Sequence, residues 1–197
     1  MTIVGITGPS GSGKSLLSEY LTASGISVID ADKVYHSLLL PPSPCLDALR
    51  QAFGDRIFRE DGTLDRPALS EIVFHDEAKL ALLNQTVLGF VLSKIRARIG
   101  ELEKNGKAMV AVDAPTLIES GFHKECSLVI SVLTPPELRL ERITTRDKIS
   151  REAALARIKA QKDDDFYRAH SDHVLINNGS QGEFFASCEA LLNKLCR

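Results

Sequence analysis

The sequence predicts an α/β protein in which helices flank a five-stranded parallel sheet, and two observations carry that prediction. Short apolar runs rich in β-branched residues alternate with longer stretches whose apolar residues recur every three or four positions. This alternation is typical of strand–helix–strand units, which build parallel sheets. Glycines or carboxylates follow directly after several of the runs. Because parallel sheets bind ligands beyond the carboxyl ends of their strands, we expect these residues at one binding edge.

The individual strands and helices follow from the same patterns. Five apolar runs are expected as strands: 3–7, 26–29, 108–112, 128–132 and 174–176. The first helix is expected over 14–23, and the glycine at position 25 is expected to end it. Caps are expected at the start of four later helices: Ser43 before Pro44, Thr134 with Glu137, Ser150, and Ser180 with Glu183. The helix after Ser150 is expected to reach about residue 162, with the acidic run 163–165 as its solvated end.

Residues 43–104 form a mainly helical stretch. Apolar residues recur at three- and four-residue spacing between positions 80 and 102, which predicts one long helix or a broken pair. Gly89 interrupts this pattern, and it is interpreted as a kink or as a close approach of a neighbour.

Composition and charge exclude several classes of protein. The 197 residues are 44% hydrophobic and 25% charged, as in ordinary globular domains, and the net charge of −2 gives no reason to expect nucleic-acid binding. The four cysteines (Cys45, Cys126, Cys188 and Cys196) form no CxxC pair, which favours reduced thiols in a cytoplasmic protein. The five histidines show no catalytic or metal-binding pattern. We expect no signal peptide, and no apolar run near the roughly 20 residues that span a membrane.

The glycine-rich segment after the first run carries the strongest signal. Its sequence, Gly8-Pro9-Ser10-Gly11-Ser12-Gly13-Lys14-Ser15, has the spacing of a Walker A phosphate-binding loop. Glycines let successive backbone N–H groups turn toward an anion, and the positive end of the following helix points to the same place. Lys14 is expected to reach the β- and γ-phosphates of ATP, and the Ser15 hydroxyl is expected to bind Mg²⁺. The expected nucleotide contacts are Gly8, Gly11, Ser12, Gly13, Lys14, Ser15 and Leu16.

Three aspartates at predicted strand ends are candidate catalytic and metal-binding groups. Asp30 and Asp32 lie two residues apart, and in an extended segment both would share one face. Asp32 is expected to orient the acceptor hydroxyl of a kinase, while Asp30 and Asp113 are expected to bind Mg²⁺ together with Ser15. The alternative is that Asp30 caps the next helix and that Asp32 is merely solvated. For Glu119, a functional role and a solvated charge are both open.

Three arginines follow the fourth predicted strand. Arg139, Arg142 and Arg146 lie within two helical turns, and the last two share a face. Kinases need cations that offset the charge on the transferring phosphoryl group, and a mobile lid often supplies them. We therefore expect Arg142 and Arg146 to be lid groups. The alternative is a solvated basic face that pairs with Glu137 and Glu141.

Together these segments resemble the dephospho-coenzyme A kinase family over nearly the whole chain. The most specific similarities are Val28-Ile29-Asp30-Ala31-Asp32 and Asp61-Gly62-Thr63-Leu64-Asp65-Arg66. Further similarities are Ile6-Thr7-Gly8, Phe53-Gly54, Leu69, Val73-Phe74, the stretch from Asp113 to Glu119, the lid pattern of Arg142, Arg146, Arg157-Ile158 and Gln161, and Ser171-Asp172-His173-Val174 with Asn177 and Gly179. The Walker A loop alone is shared by many families.

The resemblance implies a P-loop NTPase fold and phosphoryl transfer from ATP to dephospho-coenzyme A, with Mg²⁺ as cofactor. By resemblance, Asp32 would be the base that orients the ribose 3′-hydroxyl, and Arg142 would stabilise the transferring phosphate. Asn177 and Gly179 would lie near the adenine of ATP. The expected protein is a monomer or weak homo-oligomer that acts on this small molecule and on neither nucleic acid nor membrane.

The resemblance also implies one kinase unit with three parts. Residues 1–42, 105–140 and 168–197 would form the nucleotide-binding core. Residues 43–104 would form a helical insert that binds the acceptor, and residues 141–167 would form the lid.

The chain differs from the usual family pattern at several positions. Leu88-Gly89 stands in place of His-Pro, Arg139 in place of Gln, and Tyr167 in place of a frequent Lys, with further differences at Leu16 and Thr116. The first difference falls in the predicted insert, so it bears on the identity of the acceptor. Two other functions stay open: a P-loop kinase for another small acceptor, such as a nucleoside or nucleotide, and a protein that binds nucleotide without turnover. A GTPase is not expected, because the sequence has no Asn-Lys-x-Asp motif.

Overall fold

A five-stranded parallel sheet lies at the centre of the fold, as predicted. The computed structural model describes residues 1–74 and 76–195. Its strands are β1 (Thr2–Thr7), β2 (Ser27–Asp30), β3 (Met109–Asp113), β4 (Leu128–Leu133) and β5 (His173–Ile176), in the spatial order β2-β3-β1-β4-β5. Strand β1 pairs in parallel with β3 and β4, and β4 pairs in parallel with β5.

Helices connect the strands. Within the described residues they are α1 (Lys14–Ala23), α2 (Ala31–Leu38), α3 (Pro44–Phe53), α4 (Arg66–Phe74), α5 (Glu77–Lys104), α6 (Pro136–Asp147), α7 (Arg151–Lys159), α8 (Asp164–Ala169) and α9 (Gln181–Leu195). Short 3₁₀ turns cover Asp55–Ile57 and Phe122–Glu125. The expectations for His75 and Cys196 fall outside the described residues.

The chain divides into two compact units. The first contains Met1–Ile29 and Asn105–Arg197, and the second contains Asp30–Lys104. The second unit contains the predicted insert 43–104 together with α2, and the role of the insert in binding the acceptor stays a prediction. The predicted lid segment 141–167 belongs to the first unit, and its role as a lid stays a prediction.

The core of the first unit lies on both sides of its sheet. On one side, Leu133 of β4 clusters with Ile118 and Tyr167. On the other, Val4 and Ile6 of β1 are almost fully buried, because residues two apart in a strand share a face. They pack with α1 and α9, which contribute Leu17, Leu21, Phe184, Cys188 and Leu191 to the same cluster. Burying each large apolar side chain contributes about 1.5–3 kcal/mol, so this packing fixes the end of β1 from which the phosphate loop leaves.

The second unit is built around α5, which contacts α2, α3 and α4. Its buried residues recur every fourth position, at Val87, Val91, Ile95 and Ile99. The helix is unbroken at Gly89, so the single long helix is the correct alternative. A Cβ added at Gly89 would meet open space, so the expected close approach is wrong.

Helix α5 also corrects the expectation about apolar runs. By length and composition alone it is long and apolar enough to cross a membrane. One such helix is weak evidence for a membrane span, because core helices of soluble proteins can be equally long and apolar.

Side-chain caps begin several helices as predicted. Ser43 and Ser150 each accept a hydrogen bond from a backbone N–H at the start of α3 and α7. At the start of α9, the Ser180 N–H donates to the Glu183 carboxylate at 2.8 Å, and the Glu183 N–H donates to Ser180 Oγ at 3.3 Å. This reciprocal pair is the predicted capping box.

Two expectations between β4 and α8 are wrong. Thr134 does not cap α6, which begins after Pro135 and has no side-chain capping bond. Helix α7 ends at Lys159, and Asp163 starts a separate helix by accepting the N–H of Phe166. The acidic run therefore starts a helix and is not a solvated helix end. Negative charge at this position interacts favourably with the positive end of the helix dipole.

Candidate phosphate-binding site

Close packing makes glycine necessary in the segment between β1 and α1. Gly13, at the N-cap of α1, has a left-handed φ of 98°, and a Cβ there would collide with the side-chain amide of Asn177. Gly8 has φ 138°, and a Cβ there would collide with the carbonyl of Val132. The loop can follow this path only because both residues lack side chains.

The end of α1 that faces the loop is suited to bind an anion. Its first turn carries no acidic residue, and no side chain caps it. The Lys14 ammonium donates to Gly8 O at 2.8 Å and lies 3.4 Å from Pro9 O, so its charge is held within the loop. Ser15 in the first turn is exposed, and Leu16 is half-buried. The predicted nucleotide contacts from Gly8 to Leu16 therefore lie in the loop and in the first turn of α1.

Two buried polar residues support the loop at Ser12. Asn177, which is 2% exposed, donates from Nδ2 to Ser12 O at 2.8 Å. The hydroxyl of Thr134 lies 2.9 Å from Ser12 O and 2.8 Å from Asn177 O, and its single hydrogen serves one of them at a time. Thr134 was missed as a site residue, although its place directly after β4 at the binding edge was a usable signal.

Ser12 provides a test of whether an anion fits here. Its side chain is completely buried, and Oγ has no hydrogen-bond partner among the described residues. A buried hydroxyl without a partner costs free energy, which a phosphate oxygen or a bound water would recover. The donors of this loop therefore fit a phosphate group, and their use for the phosphates of ATP stays a prediction.

The structure separates the two predicted lid arginines. Arg142 Nη1 donates to Gly11 O at 3.3 Å and to Thr134 Oγ1 at 3.2 Å, which places its charge at the phosphate loop. Arg146 Nε binds Asp147 at 2.7 Å instead, and its side chain is 61% exposed. Arg146 and Arg157, which also binds Asp147, hold the pKa of that carboxyl at about 2. Arg142 therefore contacts the phosphate loop, whereas Arg146 pairs with Asp147, and its role as a nucleotide contact stays a prediction.

Arg139 does not belong to a solvated basic face. It is 4% exposed, and it donates hydrogen bonds to Ser10 O and to Gln161. Burial lowers the pKa of its guanidinium, and the charges of Asp164 and Tyr167 oppose that shift. Sequence reasoning found Arg139 in the correct segment and missed its contact with the loop.

Asp113 and Ser15, the predicted Mg²⁺ ligands of this unit, both carry oxygen donors. Asp113 ends β3, and its Oδ2 accepts a 2.7 Å hydrogen bond from Ser18 Oγ on α1. Ser15 and Ser18 are three residues apart, so they lie on one face of that helix. The described residues contain no group of three His, Cys, Asp or Glu side chains that could hold a metal. A metal here would take its other ligands from phosphate and water.

Glu119 is exposed, as the alternative of a solvated charge requires. Its charge nevertheless acts on the buried residue Tyr167. The pKa of Tyr167 is raised to about 12, mainly by burial and next by the negative charge of Glu119.

Asp30 and Asp32 lie at the start of the second unit. Asp30 Oδ1 accepts the backbone N–H of Lys33 at 2.9 Å, so Asp30 caps α2, as the alternative interpretation states. Asp32 lies in the first turn of α2 and is exposed. The argument from an extended segment is wrong, because α2 begins at Ala31. The metal role of Asp30 and the catalytic role of Asp32 stay predictions.

The predicted adenine-binding residues differ in environment. Asn177 is buried, and its Nδ2 donates to Ser12 O in the loop. Gly179 is exposed, and a Cβ there would crowd the Glu183 carboxylate of the capping box. Contact of Gly179 and Asn177 with adenine stays a prediction.

Comparison with known proteins gives consistent results. The chain matches the family model for dephospho-CoA kinase over residues 2–183. A dephospho-CoA kinase from Symbiobacterium thermophilum is 36% identical over 196 residues, which are 100% of this chain and 82% of the relative.

Solved structures agree with this match. A dephospho-CoA kinase from Campylobacter jejuni is 30% identical and superposes with a TM-score of 0.73 over 98% of this chain and 96% of its own. A crystal structure from Thermus thermophilus is 31% identical, with a TM-score of 0.83 over 98% of this chain and 97% of its own.

Proposed function

The chain belongs to the dephospho-CoA kinase family, and from this membership we propose that it transfers the γ-phosphoryl group of ATP to the ribose 3′-hydroxyl of dephospho-coenzyme A. The products are coenzyme A and ADP, so the reaction is the last step of coenzyme A synthesis. The observation that supports this proposal most directly is the phosphate loop, which Asn177, Thr134 and Arg142 hold in place. Family membership favours this acceptor over another small molecule and over binding without turnover.

Lys14 and Arg142 would supply the positive charge that phosphoryl transfer requires. Both side chains are anchored to carbonyls of the phosphate loop, so they need little rearrangement when charge develops. Cations fixed in advance stabilise a transition state better than mobile ones, because the cost of orienting them is met during folding. The N-terminus of α1 adds backbone donors to the same place.

Ser15 and Asp113 are the residues that would hold Mg²⁺. The hydroxyl and carboxylate are hard oxygen donors, and Ser18 fixes the orientation of the carboxylate. Mg²⁺ bound there would offset the charge on the phosphate oxygens. Asp30 is a further candidate ligand, although Oδ1 already caps α2.

Asp32 would accept a hydrogen bond from the acceptor hydroxyl and orient it for in-line attack. Its carboxylate is exposed at the start of α2, so it is open to a ligand. Orienting a hydroxyl and taking its proton contributes about 10²- to 10⁴-fold to a rate.

Coenzyme A formation from ATP, Mg²⁺ and dephospho-coenzyme A tests the proposal. Asp32→Asn should lower kcat by about 100-fold or more and leave the affinity for ATP nearly unchanged, because the carboxylate acts on the acceptor. Asp165→Asn, an exposed aspartate on α8, is the matched control and should retain wild-type activity.

Two results would contradict the assignments. Weaker ATP binding with an intact kcat in Asp32→Asn would show that Asp32 has another role. Wild-type protein that phosphorylates other acceptors but forms no coenzyme A would reject the proposed substrate.

We also propose that the protein acts in the cytoplasm, as a monomer or weak homo-oligomer, without a nucleic-acid or membrane partner. Its described cysteines, Cys45, Cys126 and Cys188, are free thiols. Burial raises the pKa of Cys126 to about 12, as expected for a structural thiol. One face of α5 packs on its neighbouring helices, as in a helix of a globular domain.

A further inference from the structure

Both backbone polar groups of Ser10, in the phosphate loop, are bound by side chains from distant parts of the chain. Arg139 Nε on α6 donates to Ser10 O at 2.9 Å. Gln161, just beyond α7, accepts the Ser10 N–H through Oε1 at 3.1 Å. The same Oε1 accepts from Arg139 Nη2 at 2.7 Å, so the three residues form a closed ring of hydrogen bonds.

The burial of Arg139 shows that this ring is a built feature of the fold. An arginine is almost never fully buried unless its donors are paired, and Arg139 is 4% exposed. The α6 backbone also packs directly on the loop, because a Cβ at Gly11 would lie 3.0 Å from Arg139 O and 3.1 Å from Ile143 Cγ1. Two independent contacts therefore attach α6 to the loop.

The planarity of the peptide bond carries these contacts into the phosphate site. In a trans peptide the C=O of one residue and the N–H of the next point in opposite directions. By holding Ser10 O, Arg139 therefore directs the Gly11 N–H to the opposite side of the backbone. By holding the Ser10 N–H, Gln161 fixes the direction of Pro9 O, which accepts the Ser12 N–H at 3.2 Å and lies 3.4 Å from Lys14 Nζ.

We propose that Arg139 and Gln161 clamp Ser10 and thereby preset the phosphate loop and Lys14 for the triphosphate of ATP. Arg139 is in this sense a positioning residue, which acts through Ser10 and Gln161. The inference rests on the proposed use of ATP. It extends that function by naming the side chains that fix the two peptide groups on either side of Ser10.

Steady-state kinetics of the full-length protein test the clamp, with KM for ATP and KM for dephospho-coenzyme A measured separately. Arg139→Met keeps the length of the side chain and removes all its donors, and Gln161→Met removes the shared acceptor. Each should raise KM for ATP about tenfold, the scale of one lost hydrogen bond to a charged group, and leave KM for the acceptor unchanged. Arg151→Met, an exposed arginine at the start of α7, is the matched control.

The double variant and a conservative variant separate a clamp from general destabilisation. Because the two side chains act as one ring, the double variant Arg139→Met with Gln161→Met should raise KM for ATP no further than the more impaired of the two single variants. Arg139→Lys keeps the charge but lacks the planar fork that reaches two oxygens at once, so KM for ATP should stay raised. Gln161 is only half-buried, so Gln161→Met decides the question if Arg139→Met does not fold.

Several outcomes would overturn the clamp. These are an unchanged KM for ATP in both folded single variants, equal losses for ATP and acceptor, additive effects in the double variant, or full recovery with Arg139→Lys. Failure of the proposed function is distinguishable, because wild type and Arg151→Met would then also lack ATP-dependent transfer.

Discussion

Gly13 shows how one residue sets the geometry of the phosphate loop. Its positive φ and the amide of Asn177 beside it leave no room for a Cβ. The same amide holds Ser12 O, so a side chain at position 13 would displace the group that supports the loop. Both the backbone conformation at position 13 and the contact of Asn177 with the loop therefore require a residue without a Cβ there.

Gly13→Ala tests this dependence, with Gly25→Ala as its matched control. Gly25 also has a positive φ, 83°, but a Cβ there would meet open space. Gly25→Ala should therefore show only the backbone cost of about 1–2 kcal/mol, with normal kinetics. Gly13→Ala should lose more stability and about 100-fold in kcat/KM, as expected when reacting groups are misplaced by about 1 Å. Urea unfolding and steady-state kinetics measure both effects, and equal behaviour of the two variants would contradict the argument.

At the scale of single elements, α5 offers a stability test inside one helix. Gly89 and Gly100 both lie in α5, and a Cβ at either position would meet open space. Alanine should therefore stabilise the protein at each position by roughly 0.5–1 kcal/mol, because glycine weakens a helix. In thermal unfolding this corresponds to a rise in Tm of about 1–4 °C. A fall in Tm for Gly89→Ala beside a rise for Gly100→Ala would show that Gly89 is a kink after all.

Sequence reasoning succeeded for elements whose signals are local. The start of α1, the caps at Ser43 and Ser150 and the capping box at Ser180 depend on residues within a few positions of each other, and they were predicted correctly. The equally local capping box predicted at Thr134 was wrong, because α6 begins after Pro135. The prediction for the acidic run 163–165 was wrong because aspartate is common both at helix starts and on solvated surfaces. The N-cap of α8 could not be separated from the end of α7 on residue type alone.

The supports of the phosphate loop could not be found in the same way. Thr134 contacts a residue 122 positions away, and Arg139 contacts one 129 positions away. Such contacts arise only when β1, β4 and α6 come together in the folded first unit. The place of Thr134 after β4 marked it as a residue of the binding edge, but neither it nor an arginine in a helix reveals from sequence alone which distant group it contacts.

At the scale of the whole molecule, packing sets the border between the two units. The family resemblance implies an insert that begins at position 43, and the second unit begins at Asp30. Val34 on α2 is completely buried, and α2 contacts α5 within that unit. Composition marks where the chain turns, whereas burial decides which unit an element joins.

The placement of the phosphate loop within the first unit leads to a prediction for the stability of the whole protein. Mg²⁺ with ATP at about 100 times its Kd should stabilise that unit by about 2.7 kcal/mol, because only the folded state has the loop. For a chain of this size this raises Tm by about 5–10 °C. Lys14→Ala should lose most of the shift, because the ammonium is held inside the loop, whereas the exposed Lys159→Ala should keep it. Scanning fluorimetry measures the shift, and an equal rise in Lys14→Ala would place the nucleotide elsewhere than at the loop.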